Sequence, residues 1–192
     1  MELQRAREAG YTLLEMTIAL AVTMTLIVAV LTIGAETARF SSYADQDFTV
    51  QFEANRAFTR ISELMRKTGW STQGTTNYPL VNVAEDEIEF RLLDDIDGNG
   101  YPFDATTGDL EWDTDVFTIS RNPVLETLFV YDDEDNPVWT LGRYVQSVRF
   151  QTINQDAALH LKEVRVEVVC RRTANDGNDI EYTAAGSVHM RN

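Results

Sequence analysis

Oxygen-bearing side chains alternate along the run Asp95-Ile96-Asp97-Gly98-Asn99-Gly100-Tyr101-Pro102-Phe103-Asp104. Alternation aims the side chains of Asp95, Asp97 and Asn99 at one centre. Gly100 permits the sharp turn, and the Tyr101 carbonyl is the backbone ligand such a loop needs. Asp104 or Asp109 would complete the shell. Hard oxygens on a short flexible loop suit calcium, whose six to eight contacts are long and loosely arranged. The loop is no EF-hand: its twelfth position is Thr106 instead of a bidentate Glu, and no helical pattern flanks it. The same residues also make an ordinary Asp/Asn/Gly turn. The run therefore reads either as a calcium site or as a turn. A second cluster, Asp132-Asp133-Glu134-Asp135-Asn136, has no turn glycine and reads as a hairpin tip.

One more residue stands out by its setting. Between Tyr11 and Ala35 the only charged side chain is Glu15. Met16 to Ala35 is a 20-residue apolar stretch, which as a helix spans about 30 Å, the hydrocarbon thickness of a bilayer. A carboxylate at mid-membrane costs about 2.5–3.5 kcal/mol, and less towards the interface. Its retention there calls for a function. Catalysis has less to stand on. His160 and His189 show no paired metal spacing, and there is neither a glycine-rich phosphate loop nor a nucleophile elbow. No enzyme is expected.

The elements that position these residues follow from periodicity. No proline or glycine interrupts Thr37 to Lys67, where Phe40, Ala44, Phe48, Phe52, Ala54, Phe58, Ile61 and Leu64 or Met65 recur mostly three or four apart. The pattern predicts one helix from about Thr12 to Thr68, ended by Gly69, with Arg66 and Lys67 suiting its C-terminal dipole. Its first half is apolar all round and its second half amphipathic. A polar loop is expected at Ser71–Tyr78. The period then changes to two, as in Ile88, Phe90 and Leu92, and later Val164, Val166 and Val168. Short strands are expected at 116–119, 128–131, around 148–150, at 164–169 and at 182–190. Turn chemistry at Asp132–Pro137 and Asn175–Asn178 separates them. The fold class is α+β: an antiparallel meander docked on the amphipathic half of the helix.

Charge narrows the partners. Of 31 acids, 17 fall between Glu85 and Asp135 against two bases, Arg91 and Arg121, which accounts for the whole net charge of −15. Nucleic acid is an unlikely partner for such a surface, because binding it requires neutralising phosphates. Cations or a basic partner suit it. The one cysteine, Cys170, excludes an intrachain disulfide and reads as a small buried apolar group.

Gly10 directly before Tyr11-Thr12-Leu13-Leu14-Glu15 and the apolar run resembles the class III signal of type IV pilins and type II secretion pseudopilins. Tyr11 stands where that family usually has Phe, and the leader carries Glu2 and Glu8 beside Arg5 and Arg7. The ending Ser187-Val188-His189-Met190-Arg191-Asn192 is similar to that of PilW-type minor pilins and J-type minor pseudopilins. The resemblance implies a leader at 1–10, a membrane and filament-core helix at 11–35, and a periplasmic α+β head at 36–192. It implies cleavage between Gly10 and Tyr11 by prepilin peptidase with N-methylation, and a role for Glu15 in seating the subunit. The implied partners are other minor and major subunits, the inner membrane and the assembly platform. The acidic run resembles the Asp-x-Asp-Gly-Asn-Gly loops of extracellular calcium repeats, with one extra residue before Asp104. A structural subunit near a filament tip is the leading expectation, and a calcium-stabilised adhesin or substrate-binding module the alternative.

Overall fold

The computed structural model describes residues 12–69, 71–73, 76–107, 109–175 and 177–190. One helix, α1 (Leu13–Lys67), runs for 55 residues, within a residue of the expected span at each end. Thr68 leaves it as an isolated bridge to Leu92. The chain forms two compact units, and the division between them falls between Ala44 and Asp45.

In the first unit every apolar residue of α1 from Leu13 to Ile33 is exposed. The helix is long and apolar enough there to cross a membrane. Its polar side chains are satisfied internally. The hydroxyls of Thr17, Thr23, Thr25 and Thr32 donate to Leu14, Ala19, Ala21 and Val28 carbonyls at 2.8–2.9 Å. In hydrocarbon no water could do so, and an unpaired hydroxyl would be costly. Gly34 lies inside α1 without interrupting it.

The second unit packs the rest of α1 against antiparallel sheets. β1 (Ser71–Gln73) and β2 (Thr76–Tyr78) form a hairpin where a polar loop is expected. Five strands follow as a meander in chain order: β3 (Leu80–Val81), β4 (Ile88–Phe90), β5 (Phe117–Asn122), β6 (Thr127–Tyr131) and β7 (Pro137–Arg143). A second meander holds β8 (Val145–Gln151), β9 (Glu163–Thr173) and β10 (Asp179–His189). Two main sheets thus replace the single meander expected. The switch between them is one residue, Tyr144. Both expected hairpin turns form. Asp132 N–H donates to the Asn136 carbonyl at 3.0 Å, and Ala174 N–H to that of Asn178 at 2.7 Å. Asp176, within the second turn, lies outside the described residues.

Alternation sends Val164, Val166, Val168 and Cys170 of β9 inward with Phe150, Ile88, Phe90, Ile119, Leu128 and Val130. Burial pushes the Cys170 thiol up to about 12, so it is inert, as its sequence setting suggests. The helix contributes Val50, Ala54, Ala57, Ile61 and Met65, all fully buried. Here the sequence reading needs correction. Phe40, Phe48 and Phe52 belong to the expected apolar stripe but stay exposed, at 75, 67 and 54 %. Of the rest of the stripe, Ala54, Ile61 and Met65 are buried as expected, and Val50 and Ala57 join them. β7 approaches α1 closely through Gly142: a Cβ there would sit 2.6 Å from that of Ala57. A large side chain could not occupy the Ala57 position, whereas Gly186 of β10 makes room for the Phe58 ring.

Candidate functional site

The start of α1 has a defined chemistry. Thr12 N–H donates to Glu15 Oε2 at 2.9 Å, and Glu15 N–H donates back to Thr12 Oγ1 at 3.2 Å. This reciprocal arrangement is a capping box, which satisfies two of the orphan amides of a helix end. The Thr12 hydroxyl adds a bond to Glu15 Oε2 at 3.2 Å. Glu15 therefore has a local structural role that the sequence reading did not assign. The Thr-x-x-Glu spacing was the signal for it. Gly10 and Tyr11 lie outside the described residues.

The acidic loop is built by a small antiparallel clamp. Leu93 bridges Trp112, and Phe103 bridges Leu110. Asp94 N–H donates to the Glu111 carbonyl at 3.2 Å, and Glu111 N–H to that of Pro102 at 3.1 Å. The clamp folds Glu111 back over the loop. One ligand oxygen each from Asp95, Asp97 and Glu111 then lies within 4.8 Å of the others. Three carboxylates at that separation could hold a divalent cation. Gly98 and Gly100 take φ of 72° and 89°, which lets the chain wrap its own acids. Asp95 Oδ1 and Oδ2 accept from Asn99 and Gly100 N–H, both near 2.9 Å.

The expected ligands fare differently. Asp95 and Asp97 come together. The Asn99 side-chain oxygen accepts from Tyr101 N–H at 2.8 Å, while its Nδ2 donates to Asp97 Oδ2 at 2.8 Å. Asp104 Oδ1 faces its own turn, accepting from Thr106 and Thr107 N–H at 2.6 and 3.0 Å. Glu111 was missed because it lies beyond the loop in sequence and only the clamp returns it. Desolvation works to raise the Asp97 pKa. Hydrogen bonds from the Asn99 and Ala105 amides outweigh it, and the carboxyl sits below its ordinary range. An ionised Asp97 is the form a cation requires.

No family model matches this chain, and neither does any curated protein or solved structure.

Proposed function

We propose that the chain is a minor pilin or minor pseudopilin. It is a structural subunit at or near the tip of a type IV pilus or type II secretion pseudopilus, and it helps initiate filament assembly. The observation carrying this reading is the junction Gly10-Tyr11-Thr12-Leu13-Leu14-Glu15 followed by a helix apolar on every side. A single charge at that point of such a helix gains nothing from lipid. It gains when a cationic group of a neighbouring subunit reaches it. The chain is then held in the bacterial inner membrane with a periplasmic head, its partners being other subunits and the assembly platform.

Intact mass spectrometry of the membrane-extracted protein tests this. The expected mass is that of Tyr11 to Asn192 plus one methyl group. Gly10→Val should leave the mass of the uncut chain. A wild-type mass that retains the leader, or cleavage near Ala35, would remove the proposal.

A second reading is favoured by the convergence of Asp95, Asp97 and Glu111. In it the head is a calcium-stabilised adhesive or substrate-binding module on the same filament. The whole chain in detergent should then melt higher with calcium than with chelator. At free calcium 100 times the dissociation constant the gain is about 2.7 kcal/mol. Magnesium should do less, because it demands a tight octahedron. Asp97→Ala and Glu111→Gln should each abolish the calcium response. In chelator both should melt close to wild type, since they relieve repulsion among unpaired acids. A melting curve indifferent to calcium would make the run an ordinary turn.

A further inference from the structure

The chain has 16 basic residues against 31 acids, yet three arginines line one cleft of about 360 Å³ in the head. Arg121 enters from β5, and Arg171 and Arg172 from β9. Glu126, Tyr144, Gln146 and Thr173 complete the wall. We propose that this cleft binds a carboxylate, carried either by a free small acid or by an Asp or Glu side chain of a neighbouring protein.

The three guanidinium groups are not equivalent. Arg171 is compensated: it ion-pairs with Asp179 of β10, and Glu181 faces it across the strand pair. Arg121 is fixed through Nε, which donates to the Val145 carbonyl at 2.6 Å. Its terminal nitrogens have no partner among the described residues. Arg172 lies over the Tyr144 ring, 5.1 Å from the centroid. It has no acid partner among the described residues. That contact anchors the cation while leaving its donors unspent.

The platform is held by an unusual backbone. Tyr144 has φ of 58°, a left-handed conformation that bulky residues rarely adopt. Its carbonyl accepts Arg171 N–H at 2.8 Å, and Val145 N–H donates to the Glu126 carbonyl at 2.8 Å. The turn is thereby tied to both sheets, and outliers of this kind gather at ligand-holding positions.

The acids around the cleft, Glu126, Asp179 and Glu181, balance its three arginines. With no surplus charge to hold a dianionic phosphate, geometry selects the ligand. A planar guanidinium grips a carboxylate through two parallel bonds.

The test holds the full chain in detergent micelles and follows arginine side-chain Nε resonances by NMR. The probes are succinate, tetra-aspartate and inorganic phosphate. Saturable shifts of Arg121 and Arg172 are expected with a carboxylate probe, while Arg143, exposed beside the same turn, stays unmoved. A response to tetra-aspartate alone places the carboxylate on a neighbouring protein. A response to succinate shows that a free acid suffices. Arg172→Gln should weaken binding roughly tenfold, as for one lost charge-assisted pair of bonds. Arg172→Lys, which keeps the charge and loses the fork, should weaken it comparably, and Arg143→Gln should not. The proposal is overturned by three results: no saturable shift with either carboxylate, phosphate binding as tightly as carboxylate, or equal losses in the Arg143 and Arg172 variants. Titration of the unaltered chain decides the matter even where a variant fails to fold.

Discussion

Gly142→Ala should lower the melting temperature of the head by roughly 2–12 °C, the equivalent of 1–3 kcal/mol of overpacking in a chain of this size. The new Cβ would lie 2.6 Å from Ala57 Cβ and 3.4 Å from the Glu53 carbonyl oxygen. Neither atom can rotate away, since one is a methyl fixed to the backbone and the other is backbone. Either α1 or β7 must move. Two hydrogen bonds cross the same contact and would be disturbed with it. Glu53 Oε2 accepts Arg143 N–H at 3.0 Å, and Arg60 Nη1 donates to the Thr140 carbonyl at 2.5 Å. Gly186→Ala is the control. Its Cβ would meet the tip of the Phe58 ring at 2.8 Å, and a half-buried ring can tilt aside, so its effect should be smaller. Ala57→Gly should recover part of the loss in the Gly142→Ala background, because the two sites share one contact. Near-ultraviolet circular dichroism of the micelle-bound chain reads all three. Gly142→Ala melting with the wild type would mean that the helix does not sit this close to β7.

If the chain assembles as proposed, Glu15→Gln and Glu15→Ala should both remain in the membrane, and both should be nearly absent from filaments. The pair separates the capping role of Glu15 from its proposed role in assembly. Glutamine at this position can still accept the Thr12 amide and close the capping box. Alanine cannot, and loses about 0.3–1.5 kcal/mol at the helix start. If assembly depends on a charge meeting a cationic neighbour, glutamine is as defective as alanine. If the helix cap alone matters, glutamine restores incorporation. Quantifying the subunit in sheared filaments against the membrane fraction gives the answer. Wild-type incorporation of Glu15→Gln would confine Glu15 to capping and withdraw the assembly role.

The extent of α1 was legible because nothing in its long run breaks a helix, and the strands from Ile88 onward because their alternation matches a half-buried sheet. Its buried face was legible only in part: Ala54, Ile61 and Met65 of the expected stripe are buried and Phe58 and Leu64 pack against the core. A reading by hydrophobicity also favours Phe48 and Phe52, which stay exposed, and passes over Ala57, whose place is set by the close approach of Gly142. β7 escaped because Pro137, Val138, Trp139 and Thr140 are all exposed, so the strand shows no alternation. The acidic loop was legible as far as Asp95 and Asp97. Glu111 was not, since the clamp that returns it rests on single bridges too short to leave a periodic trace. Tyr144 gave no sign of its left-handed backbone, which the meeting of two sheets imposes.

The tie between α1 and β7 also sets an order of events during synthesis. Arg60 waits 80 residues for Thr140, and Glu53 waits 90 for Arg143. At a synthesis rate of about 5–20 residues per second that interval is roughly 4–18 s. Throughout it the stripe from Val50 to Met65 has no sheet to cover it, while the preceding apolar segment is already available for membrane insertion. The nascent head must pass this period as a tethered, partly unfolded chain. Its final closure is a long-range event that cannot begin until the second half of the sequence has emerged.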